Sequence, residues 1–297
     1  MSTDPIQAAA REPQVVRVDG REAHSVSALE RGLHYGDGLF ETIACLGGRP
    51  RLLIEHMERL SAGCARLALA PGDLGAVARE VEELAAGQAR AIVKVLITRG
   101  PAASRGYAPS GTEAATRITL RYPWPMDDPR LSEHGVRVRI ATLRLGENPA
   151  LAGLKHCNRL EQVLARREWQ DPDISESLMF SSSGALICAT MANVFLVRGA
   201  RLLTPRLDRC GVAGIMRARL LATAAGAGIT VEQRVLENAD LAGADELFLT
   251  SALIGIRPVR ELAGTRLAAP GPLTRRLQEL LAPLLAMSGA SAGGRDG

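Results

Sequence analysis

Lysine is the residue that this chain most nearly lacks. Of its 36 lysine and arginine residues, only Lys94 and Lys155 are lysines, in a chain of 297 residues. Arginine stays protonated in proteins, whereas a desolvated lysine can lose its proton and form a Schiff base with a carbonyl compound. The two lysines are therefore the candidates for a catalytic amine, although an arginine-rich coding bias that missed two positions would leave the same pattern.

Aromatic residues, runs of like charge and long apolar runs are also scarce. Aromatic side chains make up 3% of the residues, which predicts an aliphatic core. The net charge of +4 comes from scattered arginines without interleaved aromatics, so nucleic acid binding is not expected, and a weak attraction for small anions is the more modest inference. No run reaches the about 18 apolar residues that a membrane helix requires, so no membrane association is expected.

The cysteines show no functional spacing. The chain has five, an odd number, and no two lie at the spacing of a metal site or a redox motif; they are Cys45, Cys64, Cys157, Cys188 and Cys210. The amino-terminal sequence lacks the charged and apolar regions of a secretory signal. We therefore expect reduced thiols, no metal and a cytoplasmic location.

The pattern of apolar residues predicts a mixed α/β (α+β) chain of two domains. We expect tails at 1–14 and 288–297, a smaller domain at 15–124, a proline-containing polar linker at 125–135 and a larger domain at 136–287. Helical spacing predicts helices at 55–69, 74–86, 158–169 and 213–225, and alternation predicts strands that include 39–46, 91–98, 193–197 and 246–250. In the helix at 158–169 the pattern turns Leu160, Val163 and Leu164 inward.

The surroundings of the two lysines differ. Lys94 lies in a strand-like run, where the alternation of side chains puts it on the same face as Ile92 and Leu96. This position indicates that its aliphatic stem packs against the sheet while its ammonium group reaches solvent or an acidic side chain. Lys155 is the second residue of the segment LKHCNRLEQ at 154–162, which follows shortly after Asn148 and a proline. We therefore take Lys155 as the candidate catalytic amine.

Two further features suggest an anion site. The run GVAGIMR at 211–217 leads into a predicted helix, whose first backbone N–H groups and positive dipole end can hold a phosphate, although glycine-rich helix starts are common. Arg59 lies at the border of its helix's apolar stripe, where most arginines are simply solvated. A phosphate together with a Schiff-base lysine indicates pyridoxal 5'-phosphate.

Five segments carry a family resemblance. They are ERGLHYGDGLFET (30–42), HMERL (56–60), LKHCNRLEQ (154–162), ANVF (192–195) and GVAGIMR (211–217). Together they resemble the class IV pyridoxal-phosphate-dependent aminotransferase family, over residues 15–285. Within that class, RGY (105–107), LGENP (145–149) and KHCNRLEQ (155–162) are most similar to aminodeoxychorismate lyases. The resemblance implies a homodimer of two-domain, D-amino acid aminotransferase-like subunits (fold type IV), with the cofactor between the domains.

The resemblance also assigns roles to individual residues. Lys155 would bind the cofactor aldehyde and act in catalysis; the phosphate would be held by Arg59, by the backbone of Ile215 and Met216 after Gly214, and by Ser251. Arg159 would lie near the ring hydroxyl and Asn193 on the cofactor side, with a strand-end cap as the alternative role for Asn193. Tyr107 and Arg105 would face the substrate, although Tyr107 could be an ordinary surface turn residue.

One position departs from the family pattern. Members of the family usually carry a glutamate five residues before the asparagine that corresponds to Asn193, and that glutamate pairs with the pyridine nitrogen of the cofactor. In this chain the position is Cys188. A neutral thiol cannot hold the ring nitrogen protonated as an ionised acid does, and a buried cysteine more commonly just fills space. We expect the loss to be tolerable in a lyase and harmful in a transaminase.

The resemblance implies elimination of pyruvate from 4-amino-4-deoxychorismate to give 4-aminobenzoate. The alternatives are a class IV aminotransferase for branched-chain or D-amino acids and a noncatalytic binder of pyridoxal phosphate or another phosphate compound.

Overall fold

The structure is a computed structural model that describes residues 12–102, 105–125 and 128–286. The chain divides into two compact units, one of residues 12–124 with 282–286 and one of residues 125–281. The predicted tails at 1–14 and 288–297 lie outside the described residues except for 12–14, where Gln14 N donates to Arg121 O at 2.7 Å.

Within the residues described, the smaller unit contains a six-stranded sheet, against which the helices α2 and α3 pack. Its strands are β1 (Val15–Val18), β2 (Arg21–Glu22), β3 (Gly38–Leu46), β4 (Arg49–Pro50), β5 (Arg90–Thr98) and β6 (Thr116–Pro123), in the order β2-β1-β6-β5-β3-β4. Its helices are α1 (Arg31–Tyr35), α2 (Leu53–Arg66) and α3 (Leu74–Ala85).

Alternation along the strands decides which residues of the smaller unit are buried. Ile43 of β3 pairs with Val93 of β5, and both are fully buried. Leu60 of α2 and Val77 of α3 are buried with them, because i, i+3 and i+4 spacing gives each helix one apolar face. This burial also places Glu41, two residues before Ile43, on the covered face of the sheet.

The larger unit is built on a nine-stranded mixed sheet in the part of the chain described. Its strands are β7 (Val136–Leu145), β8 (Ile174–Ser181), β9 (Leu186–Ala189), β10 (Asn193–Arg198), β11 (Arg201–Pro205), β12 (Thr230–Arg234), β13 (Glu246–Ser251), β14 (Gly255–Leu262) and β15 (Thr265–Arg266). The order is β12-β11-β10-β13-β14-β7-β8-β9, with β15 on β14. Its helices are α4 (Arg130–His134), α5 (Leu160–Arg166), α6 (Ile215–Gly226), α7 (Asn238–Ala242) and residues 272–281 of α8 (Pro272–Ala286).

Large side chains meet in register at the centre of this sheet. Phe195 of β10 lies opposite Phe248 of β13, and their rings stack with centroids 5.2 Å apart. A separate core cluster of this unit, which includes Val194, Leu196 and Leu249, is almost wholly aliphatic, as the low aromatic content predicts. The register of these strands also fixes which residues lie at the two edges of the sheet.

The segment at 125–135, predicted as a linker, contains structure of its own. Residues 130–134 form α4, and Gln278 of α8 donates its Nε2 to the Ser132 carbonyl at 3.0 Å. The boundary between the compact units falls between Trp124 and Pro125. Most of the polar segment thus packs as part of the larger unit.

The predicted burial of the helix at 158–169 is wrong. The helix, α5, has only seven residues, and Leu160 is 68% exposed, with Val163 and Leu164 also exposed. Ala165 is the residue that α5 buries. Helical spacing identified an apolar stripe correctly, but it could not say which side of the helix packs on the sheet.

None of the helices in the described ranges combines the length and the apolar character needed to cross a membrane.

Candidate active site

Backbone hydrogen bonds tie the Lys155 segment to the loop that enters α6. Gly153 N donates to Gly211 O at 2.9 Å, and Ala213 N donates to Gly153 O at 3.1 Å. Lys155 follows two residues later and is half-buried. The fold thus joins the backbone of the Lys155 segment to the glycine-rich helix entry, which lies about 60 residues further along the chain (from 155 to 215).

The entry to α6 leaves its first backbone donors without a side-chain cap. Gly214 is the N-cap residue, in an extended conformation, and no side chain bonds to the helix start. The N–H groups of the first helical turn have no intrahelical acceptor, so Ile215 and Met216 present donors at the positive end of the helix. This arrangement suits an anion.

Asn193 shapes this entry. It is buried at the start of β10, and its Nδ2 donates to Val212 O at 2.9 Å. A Cβ atom at position 214 would lie 2.1 Å from Asn193 Oδ1, so only glycine fits there. Asn193 therefore packs against the loop itself, a role that neither of its two predicted roles included.

Ser251 lies at the same edge of the sheet as Asn193. Residue 193 pairs with Thr250 in the antiparallel β10–β13 ladder, and Ser251 is the next and last residue of β13. Its Oγ accepts a 3.4 Å hydrogen bond from Ile254 N in the turn that follows. A half-buried hydroxyl thus lies at the same sheet edge as the α6 entry.

Arg159 is held by the residue that follows Lys155. Its Nε donates to His156 O at 2.9 Å, and its Nη2 lies 2.5 Å from His156 Nε2. Because a guanidinium can only donate, His156 Nε2 accepts and the imidazole is neutral, with its proton on Nδ1. Burial, and secondly Arg159, lower the pKa of His156 to about 4, and its Nδ1 has no hydrogen-bond partner among the described residues. His156 was not among the residues predicted from the sequence, although its position next to Lys155 was an available signal.

Cys188 lies in an apolar cluster of the larger unit. The cluster comprises Ala141, Leu145, Ala165, Met179, Ile187, Cys188 and Cys210. Burial raises the pKa of the Cys188 thiol to about 12, so the thiol is neutral at any ordinary pH. The position that relatives fill with an acid therefore carries no negative charge here.

The remaining predicted residues lie in the smaller unit. Arg59, on α2, forms a two-point ion pair with Glu41, with Nε to Oε1 at 2.8 Å and Nη2 to Oε2 at 2.5 Å. His56, one turn earlier, places its Nδ1 2.6 Å from Glu41 Oε2. Glu41 and His56 were not among the residues predicted from the sequence. For Glu41, the available signal was a charged residue at an inward-facing position of an apolar strand.

The predicted substrate-side loop is exposed. Tyr107 is 85% exposed, and its ring lies 5.3 Å from that of Tyr35. Arg31, which is buried, donates Nη2 to Tyr107 O at 2.6 Å and so anchors the backbone of the loop. Arg105 is exposed at the start of this loop.

Lys94 has a packing role. Its stem is half-buried on β5, and its Nζ lies 5.4 Å from the centroid of the Phe40 ring in a cation–π contact. The structure thus joins the Lys155 segment to the α6 entry through Gly153, joins Asn193 to the same entry, and bonds Arg159 to His156. It leaves Lys94 among the packed residues of the smaller sheet.

Comparisons with known proteins agree with the motifs. The family model described as amino-transferase class IV matches residues 38–262. The aminodeoxychorismate lyase of Vibrio harveyi is 33% identical over 264 residues, which cover 88% of this chain and 97% of the relative. A putative branched-chain-amino-acid aminotransferase of Methanocaldococcus jannaschii is 30% identical over 271 residues, covering 88% and 91%.

The fold agrees as well. The crystal structure of 4-amino-4-deoxychorismate lyase from Pseudomonas aeruginosa superposes with a TM-score of 0.86 at 45% identity, over 91% of this chain and 98% of that one. The predicted mixed α/β fold and the family resemblance are both confirmed. Proteins of this family are pyridoxal-phosphate enzymes. The chain belongs to the class IV aminotransferase family.

Proposed function

We propose that the chain is an aminodeoxychorismate lyase, a carbon–oxygen lyase that converts 4-amino-4-deoxychorismate into 4-aminobenzoate and pyruvate. The observation that supports the proposal is the backbone pairing of Gly153 with the α6 entry, because Gly153 lies two residues before the half-buried Lys155 and the N-cap residue of α6 is a glycine. The 45% identity to a lyase of known structure supports this substrate over those of other family members.

The residues of the larger unit fit pyridoxal 5'-phosphate. The backbone N–H groups of Ile215 and Met216 and the Ser251 hydroxyl would hold the phosphate, and the buried, unpartnered Nδ1–H of His156 is a donor that a polar ligand would satisfy. Arg159 would lie near the ring hydroxyl. The family motif implies Arg59 as a further candidate for binding the phosphate.

When bound, the cofactor supplies an aldehyde for covalent attachment of an amine and an electron-withdrawing ring that acidifies the adjacent C–H bond. Lys155 would hold that aldehyde until the amino group of the substrate replaces it. The released lysine, in its neutral form, would then remove the proton from the ring carbon that bears the nitrogen.

Loss of that proton and cleavage of the bond to the enolpyruvyl oxygen make the six-membered ring aromatic. The departing enolpyruvate takes up one proton and becomes pyruvate, so the products together contain every atom of the substrate. Since no keto acid is consumed, Lys155 can bind the aldehyde again as 4-aminobenzoate leaves. The aromatic product supplies driving force, which places less demand on the cofactor ring.

The proposal is tested by giving purified protein, loaded with pyridoxal phosphate, 4-amino-4-deoxychorismate alone. We expect 4-aminobenzoate fluorescence and an equal amount of pyruvate, without any added keto acid. A protein that yields product only when a keto acid is supplied, or that converts branched-chain or D-amino acids instead, is an aminotransferase. The 30% identity to a putative branched-chain enzyme makes that the second candidate.

The neutral Cys188 thiol separates the two candidates. Cys188→Ala is expected to leave the lyase rate within about threefold of the wild type, because a thiol with a pKa of about 12 contributes no charge. Cys188→Glu is expected to bring transamination activity without a higher lyase rate. Steady-state assays of both reactions measure this.

Cys210→Ala is the matched control for Cys188, since Cys210 is a buried thiol in the same cluster whose pKa is raised to about 11. A large rise in the lyase rate of Cys188→Glu, with no transamination gained, would contradict the proposed tolerance.

We further propose a cytoplasmic homodimer that supplies 4-aminobenzoate for folate biosynthesis. The exposed apolar stripe of α5, formed by Leu160, Val163 and Leu164, supports association with a second copy, because apolar surface of this kind is usually covered.

A further inference from the structure

Three ionisable side chains meet on the covered face of the smaller unit's sheet. Glu41 is 1% exposed and lies two residues before the fully buried Ile43 on β3. His56 is completely buried on α2, and Arg59 lies one turn further along the same helix, with 18% of its side chain exposed. A carboxylate in the sheet is thus shared by two side chains of the helix above it.

The geometry of this group fixes the guanidinium of Arg59. Both oxygens of Glu41 take part, Oε1 with Nε at 2.8 Å and Oε2 with Nη2 at 2.5 Å, so the two planar groups are joined at two points. His56 Nδ1, 2.6 Å from Oε2, holds the carboxylate from the other side. A two-point pair sets the plane of the guanidinium, and therefore the directions of all its N–H bonds.

The charges in this group are consistent with a fixed ion pair. Burial would by itself raise the pKa of Glu41, but the hydrogen bonds from His56 and Arg59 lower it below its ordinary value. The carboxylate is thus ionised at neutral pH. Buried ion pairs add little net stability compared with apolar packing, whereas they hold a long side chain in one orientation.

We infer that Glu41 and His56 are positioning residues that hold the Arg59 guanidinium in one orientation for binding the phosphate of the cofactor, an inference that rests on the proposed function. Neither touches the cofactor in this role. An arginine on a solvated helix face loses conformational entropy when it binds an anion, whereas one already held in place by a carboxylate loses less. The result is tighter binding of the phosphorylated cofactor.

The test compares pyridoxal phosphate with unphosphorylated pyridoxal. Cofactor-free protein is titrated with each compound, and the dissociation constant is read from the absorbance of the bound form. Glu41→Gln is expected to weaken pyridoxal phosphate about tenfold or more, the size expected for a charge-assisted hydrogen bond, and to leave pyridoxal unchanged. Glu80→Gln is the matched control, because Glu80 is also a buried carboxylate of the same unit, hydrogen-bonded to Thr119 and ion-paired with Arg117.

A double-mutant cycle shows whether Glu41 acts through Arg59. In an Arg59→Ala background, Glu41→Gln is expected to have no further effect on affinity for pyridoxal phosphate. His56→Leu is expected to weaken that affinity severalfold, and His56→Asn, which keeps a donor near the Nδ1 position, to restore it. If Glu41→Gln does not fold, the comparison of His56→Leu with His56→Asn tests the inference in its place.

Each other outcome is decisive. The inference is wrong, and the role of Glu41 is merely structural, if Glu41→Gln and Glu80→Gln lower the affinity for pyridoxal phosphate and for pyridoxal equally. The same conclusion follows if Glu41→Gln lowers the affinity for pyridoxal phosphate as much in the Arg59→Ala background as in the wild type. Unchanged affinity in Glu41→Gln also overturns it. If wild-type protein does not bind pyridoxal phosphate at all, the proposed function itself has failed, and the inference with it.

Discussion

Lys155→Ala is expected to lower the rate of 4-aminobenzoate formation by about 10³-fold or more, the size typical of losing a positioned base. The variant also loses the amine that attaches the cofactor covalently, and the many arginines cannot replace it because they stay protonated. Borohydride reduction of the loaded protein, followed by peptide mass spectrometry, is expected to find the pyridoxyl group on Lys155 in the wild type and on no residue in the variant.

The scarcity of lysine makes this experiment unusually clear. The chain's other lysine, Lys94, packs its ammonium over the Phe40 ring in the smaller unit, so Lys94→Met is the matched control. This variant should keep its activity and should still be labelled at Lys155 by borohydride reduction. Trapping on Lys94 or on the amino terminus in wild-type protein, or a loss of less than about tenfold in Lys155→Ala, would contradict the assigned role of Lys155.

Gly214→Ala is expected to weaken pyridoxal phosphate binding by roughly 10²-fold, because displacing a binding group by about an ångström can cost that much. The added Cβ would lie 2.1 Å from the Oδ1 of buried Asn193, whose Nδ2 is bonded to Val212 O in the same loop. The start of α6 must then shift, and with it the first-turn N–H groups of Ile215 and Met216. Absorbance titration of cofactor-free protein measures the change, and thermal unfolding checks the fold.

Gly226→Ala is the control for Gly214→Ala, since it lies at the other end of α6 and a Cβ there meets nothing within 4 Å. It should leave affinity unchanged and raise stability slightly, as alanine favours a helix. Adding Gly214→Ala to Asn193→Ala should cost little beyond Asn193→Ala alone, because the colliding oxygen is gone. Full affinity in Gly214→Ala would show that this entry does not hold the phosphate.

Residue composition and spacing were enough to select the candidate residues of the larger unit. Lys155 stood out because lysine is rare and because its neighbours match a family motif, and the glycine-rich run at 211–217 does begin a helix, α6. Strict alternation in 91–98 placed Lys94 on a packed sheet face, where the structure has it on β5. These features are local, since each depends on residues within about one helical turn or one strand.

Features that depend on distant contacts were not accessible in this way. The sequence could not show that the Gly153 backbone bonds to 211–213, that Asn193 packs against Gly214, or that Glu41 holds Arg59. The sequence pattern also predicted that the apolar stripe of α5 is buried, whereas it is exposed. Periodicity shows that a helix has an apolar face, but it does not show what covers that face.

The sequence by itself therefore determined the family, the catalytic candidate and the position of the helix that is proposed to bind the phosphate, because these depend on residue identity and short-range pattern. Only the tertiary structure decided which donors are uncapped, which charges are paired and which thiol is neutral. Burial and hydrogen bonding are properties of the neighbours that folding brings together, and those neighbours lie tens of residues apart along the chain.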